Sequence, residues 1–448
     1  MKKYADYRKT SSPFLKTVPS HWIDVKLRHC YTIKSISNTS NEPLLSVFLN
    51  RGVVSYTDTD MKQVHKPSED MKAYQLVLPG DFVLNNQQAW RGSVGVSSHR
   101  GIVSPAYIVM APITENNPRF MNYMLRETAC ISQFVLASKG VGSIQRILSP
   151  IKLKSSIVVL PPRDEQDQIV RYLDWQVSKI NRLIAAKRKQ IELMKDNLKS
   201  AVAKLTTHGI GSHDMCRSEI YWLTEYPSTW HVTKLKYILK KHRREVPPNA
   251  ELLICSNSGE VTKRGDGKLG LVAASDDIYQ GVKTGDLLIH GMDTWHGAIA
   301  ISNFDGMCTP VVHVCTCREE KRFVAYYLKM MAYTKVFKAI SNGVRQNTSD
   351  FRSWDKVGDL LICLPDISEQ VAIADELDKL TDATKKGIAC FERHIEKLVD
   401  LRTRLISDVV TGQIDVRGIE IPDDERAEEF AFPDNTEEES EDIADEEE

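Results

Sequence analysis

The chain has 448 residues, 42% apolar and 27% charged, which is enough for two to four domains with substantial cores and ordinary for a soluble globular protein. No run of about 18 apolar residues occurs, and the basic start MKKYADYRKT lacks the apolar stretch of a secretion signal. Nine scattered cysteines, an odd number, suit reduced thiols in a cytoplasm better than a disulfide framework, so a membrane protein and a stapled secreted domain are both disfavoured.

Residues 1–159 read as a mixed α/β globular unit. Alternating runs such as Tyr74–Leu78 predict short strands, Gly-Asp and Gly-Ser mark turns, and one helix is expected near Phe120 to Leu136. Two loops are rich in side chains that hydrogen-bond flat polar edges: NNQQAWRGSVG, from Asn85 to Gly95, and KGVGSIQR, from Lys139 to Arg146. Their candidate DNA-contacting residues are Asn85, Gln87, Gln88, Trp90, Arg91, Ser143, Gln145 and Arg146. Arg, Asn and Gln make bidentate contacts to base edges, and nearby glycines let backbone approach a phosphate. Taken singly, each of these residues also fits a structural turn, and Trp90 also fits core packing.

Residues 160–210 open with LPPRDEQDQIVRYLD and then run without proline. Leu173, Val177, Ile180, Ile184, Ile191, Met194, Leu198 and Leu205 recur at spacings of three and four, the seam pattern of a coiled coil. Acidic residues near the start and Gly209 near the stop fit a single helix of roughly 40 residues, about 60 Å long.

Residues 211–363 read as a second mixed α/β unit, with a strand at Asp286–His290 and a helix near Phe323 to Ile340. Its loops HGMDTWHGAIA, from His290 to Ala300, and SNGVRQN, from Ser341 to Asn347, supply the candidates His290, Asp293, Trp295, His296, Arg345, Gln346 and Asn347. Trp295, like Trp90, offers a ring for stacking or for the core.

Residues 364–421 form the second helical segment, with apolar positions at Leu377, Leu380, Ile388, Phe391, Ile395, Leu398, Leu405 and Val409, and with Gly412 near the stop. Residues 422–448 are an acidic tail. From Asp423 onward 15 acids face one arginine, a net of −14 within a total of −1, which leaves +13 on the rest. A solvated disordered end explains the tail, and so does an internal decoy competing with a polyanion for the basic body.

The two halves repeat. Pro19, Trp22, Lys26 and Leu27 match Pro227, Trp230, Lys234 and Leu235. Gly80-Asp81 matches Gly285-Asp286, Arg119 and Tyr123 match Arg322 and Tyr326, and Gly142 with Gln145 matches Gly343 with Gln346. The offset drifts between 201 and 208, then holds at 204 with no gap from Leu160–Ile210 to Leu364–Ile414. Tolerance early and strict register late mark variable loops followed by a rod. The fold class is therefore α/β (α+β): two tandem-duplicated units separated by two long helices, which pair as an antiparallel coiled coil or else pack each on its own unit. The expected pairing seam is Leu173, Ile180, Ile184, Ile191, Leu198, Leu377, Ile388, Ile395, Leu398 and Leu405.

No catalytic motif stands out. There is no phosphate-binding GxxxxGK[ST], and no FxGxG followed by the [DNS]PP[YFW] of an amino-methyltransferase. Asp366 with Glu376 and Lys379 has a nuclease-like composition but fits a helix start. Cys308, His313, Cys315 and Cys317 invite zinc, yet lack a CxxC or HxxxH spacing and fit a buried strand. No metal site and no catalytic residue is expected.

The PxxW-xxxKL opening of each half, the GD-strand and the LP-xxx-EQ-xx-I helix start (Leu160, Pro161, Glu165, Gln166, Ile169; Leu364, Pro365, Glu369, Gln370, Ile373) together resemble the specificity subunit of type I DNA restriction-modification enzymes, over residues 12–421. The resemblance implies two target-recognition domains, each reading one half of a split double-stranded DNA sequence, and helices that set the gap. It implies docking of two methyltransferase subunits that bring S-adenosylmethionine, and of two motor-nuclease subunits that use ATP and magnesium. The chain itself would be a non-catalytic, cofactor-free cytoplasmic protein of phage defence. The other class of reading is a duplicated DNA-binding scaffold without a methyltransferase partner. The acidic tail departs from the family pattern.

Overall fold

The repeated Glu-Gln pair is a joint between a globular part and the start of a long helix. The structure, a computed structural model, describes residues 2–37, 42–49, 51–58, 71–140, 146–265, 278–341 and 351–422. These fall into two units, one within 1–186 and 394–448, the other within 187–393. The acidic stretch 423–448 lies outside the described residues.

In the first unit an antiparallel sheet runs in the order Tyr31–Lys34, Tyr107–Pro112, Phe82–Asn85, Val94–Val96. Alternation along Phe82–Asn85 sends Phe82 and Leu84 into the main core and Val83 into a smaller one behind. In the second unit the order is Leu239–His242, Val312–Cys317, Leu287–His290, Ile299–Ile301, and Leu287 and Ile289 point away from Leu288 in the same way. The registers match: Tyr107 faces Asn85, and Val312 faces His290. Each unit also carries a hairpin, Leu45–Phe48 with Gly52–Ser55 and Leu253–Cys255 with Val261–Lys263. The Gly-Asp motif ends in a buried carboxylate. Asp81 pairs with Lys34 and accepts the Leu78 amide at 2.6 Å, while Asp286 pairs with Arg244 and accepts the Lys283 amide at 2.7 Å.

Each expected globular helix is broken in two. The first unit has Pro118–Leu125 and Thr128–Ala137 because the Glu127 carboxylate accepts the Ala129 amide at 2.6 Å and starts a new helix. The second has Lys321–Tyr333 and Val336–Ile340, parted at Lys335, whose φ is +62°.

The long helices are Arg163–His208 and Ile367–Val410. In the first unit the Glu165 carboxylate accepts the Tyr4 hydroxyl at 2.6 Å, the Trp22 indole N–H at 3.0 Å and His21 Nε2 at 2.7 Å. Gln166 accepts the Asn117 amide at 2.9 Å and donates to the Pro161 carbonyl at 3.0 Å. Arg119 forks onto Asp174 at 2.7 Å, with the Tyr123 hydroxyl at 3.4 Å. The second unit repeats the arrangement. Trp230 donates to Glu369 at 3.2 Å, Gln370 binds the Glu320 amide and the Pro365 carbonyl, and Arg322 and Tyr326 meet Asp378 at 2.8 and 2.7 Å. Burial pushes the Asp174 carboxyl up to about 6 against the pull of Arg119.

Helix ends return to these joints. Gly412, at φ +74°, lies so close to the Pro19 ring and Trp22 that a Cβ would collide with them. Gly209, also at φ +74°, leaves only 2.5 Å between such an atom and Glu369 Oε1. Within the first unit Gln168 binds the Val416 carbonyl and Arg402 binds Asn181 at 2.9 Å. Within the second, Lys187 sits 4.5 Å above the Phe391 ring and Met194 lies against Gly387. Leu173, Ile180, Ile184 and Leu405 are buried in the first core, with Ile395 and Leu398 packed on it; Leu377 is buried in the second, with Leu198 alongside. Ile191 and Ile388 are half-buried and belong to neither core.

Candidate nucleic-acid interface

The two predicted loops of the first unit come together. After the strand Phe82–Asn85 the chain turns because the Asn85 side chain accepts the Gln87 amide at 3.0 Å. A single 3₁₀ turn, Ala89–Arg91, follows and closes on Gly92 at φ +107°. The second loop returns as the strand Ile147–Leu148, and the Leu148 amide donates to Asn86 through both its backbone carbonyl (3.2 Å) and its side-chain oxygen (3.1 Å). This stitch places Arg146 beside Trp90. The guanidinium carbons of Arg146 and Arg91 stand 5.0 and 5.1 Å from the indole centre, within cation–π range, and Trp90 Nε1 donates to the Gln87 carbonyl at 2.8 Å. Gln87, Gln88 and Arg91 are exposed, while Asn85, Trp90 and Arg146 are half-buried. Ser143 and Gln145 lie outside the described residues. The Ser93 hydroxyl donates to the Val47 carbonyl at 2.8 Å, so the turn is anchored on the hairpin strand Leu45–Phe48.

The second unit builds the same turn from different residues. His290 Nδ1 accepts the Asp293 amide at 3.2 Å and faces its carboxylate at 3.1 Å; the turn Thr294–His296 closes on Gly297 at φ +87°. His296 is exposed, whereas Trp295 packs against the second core. The two tryptophans therefore differ: Trp90 is contacted by two guanidinium groups, and Trp295 packs against the core beneath its turn. Burial pushes the His290 imidazole down. With Nδ1 accepting the Asp293 amide, the neutral ring carries its proton on Nε2 and keeps a single N–H donor to offer a polar edge. His290, Met292 and Asp293 line a cleft of about 460 Å³ with Cys255, Asn257 and Val312. Arg345, Gln346 and Asn347 lie outside the described residues, but the chain resumes at Phe351, whose amide donates to the Gly291 carbonyl at 3.1 Å. Exposed Arg352 then reaches the Met292 sulfur at 3.2 Å. Arg352 escaped the sequence reading. Its position five residues past the RQN run was the only available signal.

The other groupings resolve into structure. His313 Nε2 bonds the Phe351 carbonyl at 2.7 Å inside the strand Val312–Cys317, and Cys308 and Cys315 belong to different cores. Burial pushes both thiols up, away from the thiolate form. Among the described residues no group of three or more His, Cys, Asp or Glu is placed to hold a metal. The Asp366 carboxylate caps the second long helix by accepting the Glu369 amide at 2.9 Å, and Glu376 pairs with Lys379 along its surface. Among the described residues no helix is long and apolar enough to cross a membrane.

A mixed α/β unit written twice, each copy seating a long helix on a Trp–Glu joint and presenting a polar turn at the end of the same sheet strand, defines a tandem scaffold with variable polar loops. No family model matches the chain. It is 26% identical over 385 residues, 80% of its length and 82% of the relative's, to a protein of Methanocaldococcus jannaschii named provisionally as the type I restriction enzyme MjaX specificity subunit. It is 26% identical over 327 residues, 67% of its length and 70% of the relative's, to the type I restriction enzyme MjaVIII specificity subunit of the same organism. A solved chain from work on complex assembly and conformational transition of the type I R-M system shares the fold at a TM-score of 0.63 and 13% identity, covering 89% of this chain and 99% of that one. The resemblance carried by the repeated motifs and the curated relatives thus meet on one kind of protein, the specificity subunit of type I restriction enzymes.

Proposed function

We propose that the chain is the non-catalytic DNA-specificity subunit of a type I restriction-modification system and acts in the cytoplasm. Each globular unit, 1–159 and 211–363, reads one half of a split duplex target through its paired loops. The helical segments 160–210 and 364–421 form an antiparallel coiled coil that fixes the unread gap and docks two methyltransferase subunits. Those partners bring S-adenosylmethionine, and motor-nuclease subunits bring the ATP and magnesium chemistry.

One observation carries the reading. The same turn, keeping its tryptophan and closing glycine but otherwise built from different residues, stands at the same station of a duplicated sheet: Asn85-to-Arg91 in one copy and His290-to-His296 in the other. An invariant frame with variable polar loops is what two different half-sites require. The pairing of low with high residue numbers along the helices, Asn181 with Arg402 and Met194 with Gly387, supports the antiparallel arrangement.

Single-molecule sequencing of host DNA tests the role directly. A strain lacking this chain should lose adenine methylation at one split motif, and Arg146→Ala should weaken or relax recognition in one half of that motif only. A good bidentate contact discriminates by about 1–3 kcal/mol. Methylation that persists unchanged without the chain refutes the reading.

A further inference from the structure

A cleft of about 570 Å³ opens along the edge strand Leu239–His242 of the second unit. Lys236, Tyr237, Lys240, Lys241, Arg243 and Arg318 line it with Trp354 and His242, and among the described residues no carboxylate lines it. Lys236 is held by Asp359 at 2.8 Å. Lys240, Lys241, Arg243 and Arg318 are exposed and make no ion pair with a described residue, and Tyr237 is 63% exposed beside them.

Lysines on an edge strand also block strand-to-strand association. That role does not account for Arg318, which follows the neighbouring strand Val312–Cys317, or for Arg243 beyond the edge strand, or for an exposed tyrosine between lysines. The duplication supplies an internal control. The Arg318 amide donates to the Ile238 carbonyl at 2.9 Å, and at the matching station of the first unit the Ile113 amide donates to the Cys30 carbonyl at 2.9 Å. There the positions of Lys240, Lys241 and Arg318 hold Thr32, Ile33 and Ile113. The fold forms without the three cations, so their convergence in one copy needs another cause.

We propose that this cleft is a docking track for the phosphodiester backbone of duplex DNA. It rests on the DNA-reading role given above and adds a sequence-independent anchor from residues outside the recognition loops. The anchor belongs to the second unit; the first has Arg28 at the station of Lys236 but no cation at those of Lys240, Lys241 and Arg318. Four unpaired cations along one concavity match a polyanion with regularly spaced charges, and the Tyr237 ring offers a flat face against a sugar.

The test uses the full chain, a random-sequence duplex of about 30 base pairs and fluorescence anisotropy across a range of potassium chloride. Three proteins are compared: wild type, the variant Lys240→Gln/Lys241→Gln/Arg318→Gln, and a charge-matched control, Lys195→Gln/Lys204→Gln/Lys386→Gln, on exposed helix positions. Each phosphate neutralised contributes about 0.9 to the log–log salt slope, so the cleft variant should lose roughly 2.7 from it while the control keeps the wild-type slope. An unchanged slope or an equal fall in the control overturns the proposal. So does tighter binding by the cleft variant, the result expected if the cleft held the acidic residues 423–448. Wild-type protein that binds no duplex at all refutes the DNA-reading role, and the proposal with it.

Discussion

Replacing Glu165 with alanine separates a structural joint from a recognition site. Glu165 is 6% exposed and accepts two buried donors, the Trp22 indole N–H and the Tyr4 hydroxyl, besides the half-exposed His21. A hydrogen bond to a charged group contributes about 1.5–3 kcal/mol, and a buried donor left without a partner costs a similar amount. Two buried donors put the loss at about 3–6 kcal/mol; His21, near water, adds less than about 1 kcal/mol. Glu369 receives a single indole N–H, from Trp230 at 3.2 Å, and faces His213 at 3.3 Å. Glu369→Ala should therefore cost about 1.5–3 kcal/mol, roughly half as much. Urea unfolding followed by tryptophan fluorescence measures both, because Trp22 and Trp230 report on their own joints. Equal losses, or a loss below about 1 kcal/mol for Glu165→Ala, would refute the assignment of the Glu-Gln pair to a load path between helix and globular part.

Two further outcomes follow from the same contacts. Asp174 has a folded pKa of about 6, raised by burial from the model-peptide value near 4, so between about pH 4 and 6 the folded chain keeps a proton that the unfolded chain has released. Its contribution to stability falls as pH rises through that window, by about 2–3 kcal/mol at roughly 1.4 kcal/mol per unit, and Asp174→Asn should remove this slope from a pH series of urea midpoints. Along the seam, Leu173→Ala should cost about 2–5 kcal/mol because Leu173 is fully buried, whereas Ile191→Ala, half-buried and outside both cores, should cost less than about 1.5 kcal/mol; thermal unfolding that ranks them equally would contradict the graded seam.

The duplication and both helices were legible because they rest on periodicity and register, which sequence carries directly. The constant 204-residue offset covers the helix side of both joints, Glu165 with Glu369 and Asp174 with Asp378, where a shifted residue would meet the wrong partner; at the far ends Gly209 and Gly412 stand 203 residues apart, a slip of one. The pairing of the two loops of the first unit was less legible. It depends on the Asn86–Leu148 stitch between segments 62 residues apart, which no local pattern encodes. The break between Leu125 and Thr128 was hidden because apolar residues continue on both sides; it is set by the Glu127 cap, whose other oxygen accepts the Ser407 hydroxyl at 2.5 Å from the second long helix. The half-buried state of Ile191 and Ile388 was equally invisible, since heptad spacing reports a stripe and not how deeply each position is covered. The basic edge strand escaped notice because its cations converge from the short helix, the strand and Arg318.

The joints also bear on inheritance. Each long helix meets its globular part through a tryptophan, an arginine and a tyrosine that come from the globular side and find glutamate and aspartate waiting on the helix. Any foreign segment bringing those three side chains to the same stations would plug into the existing socket, whatever its loops contain. The chain is thus built as a holder for interchangeable cassettes, and a new set of loops can arrive by recombination of whole segments without redesigning the socket.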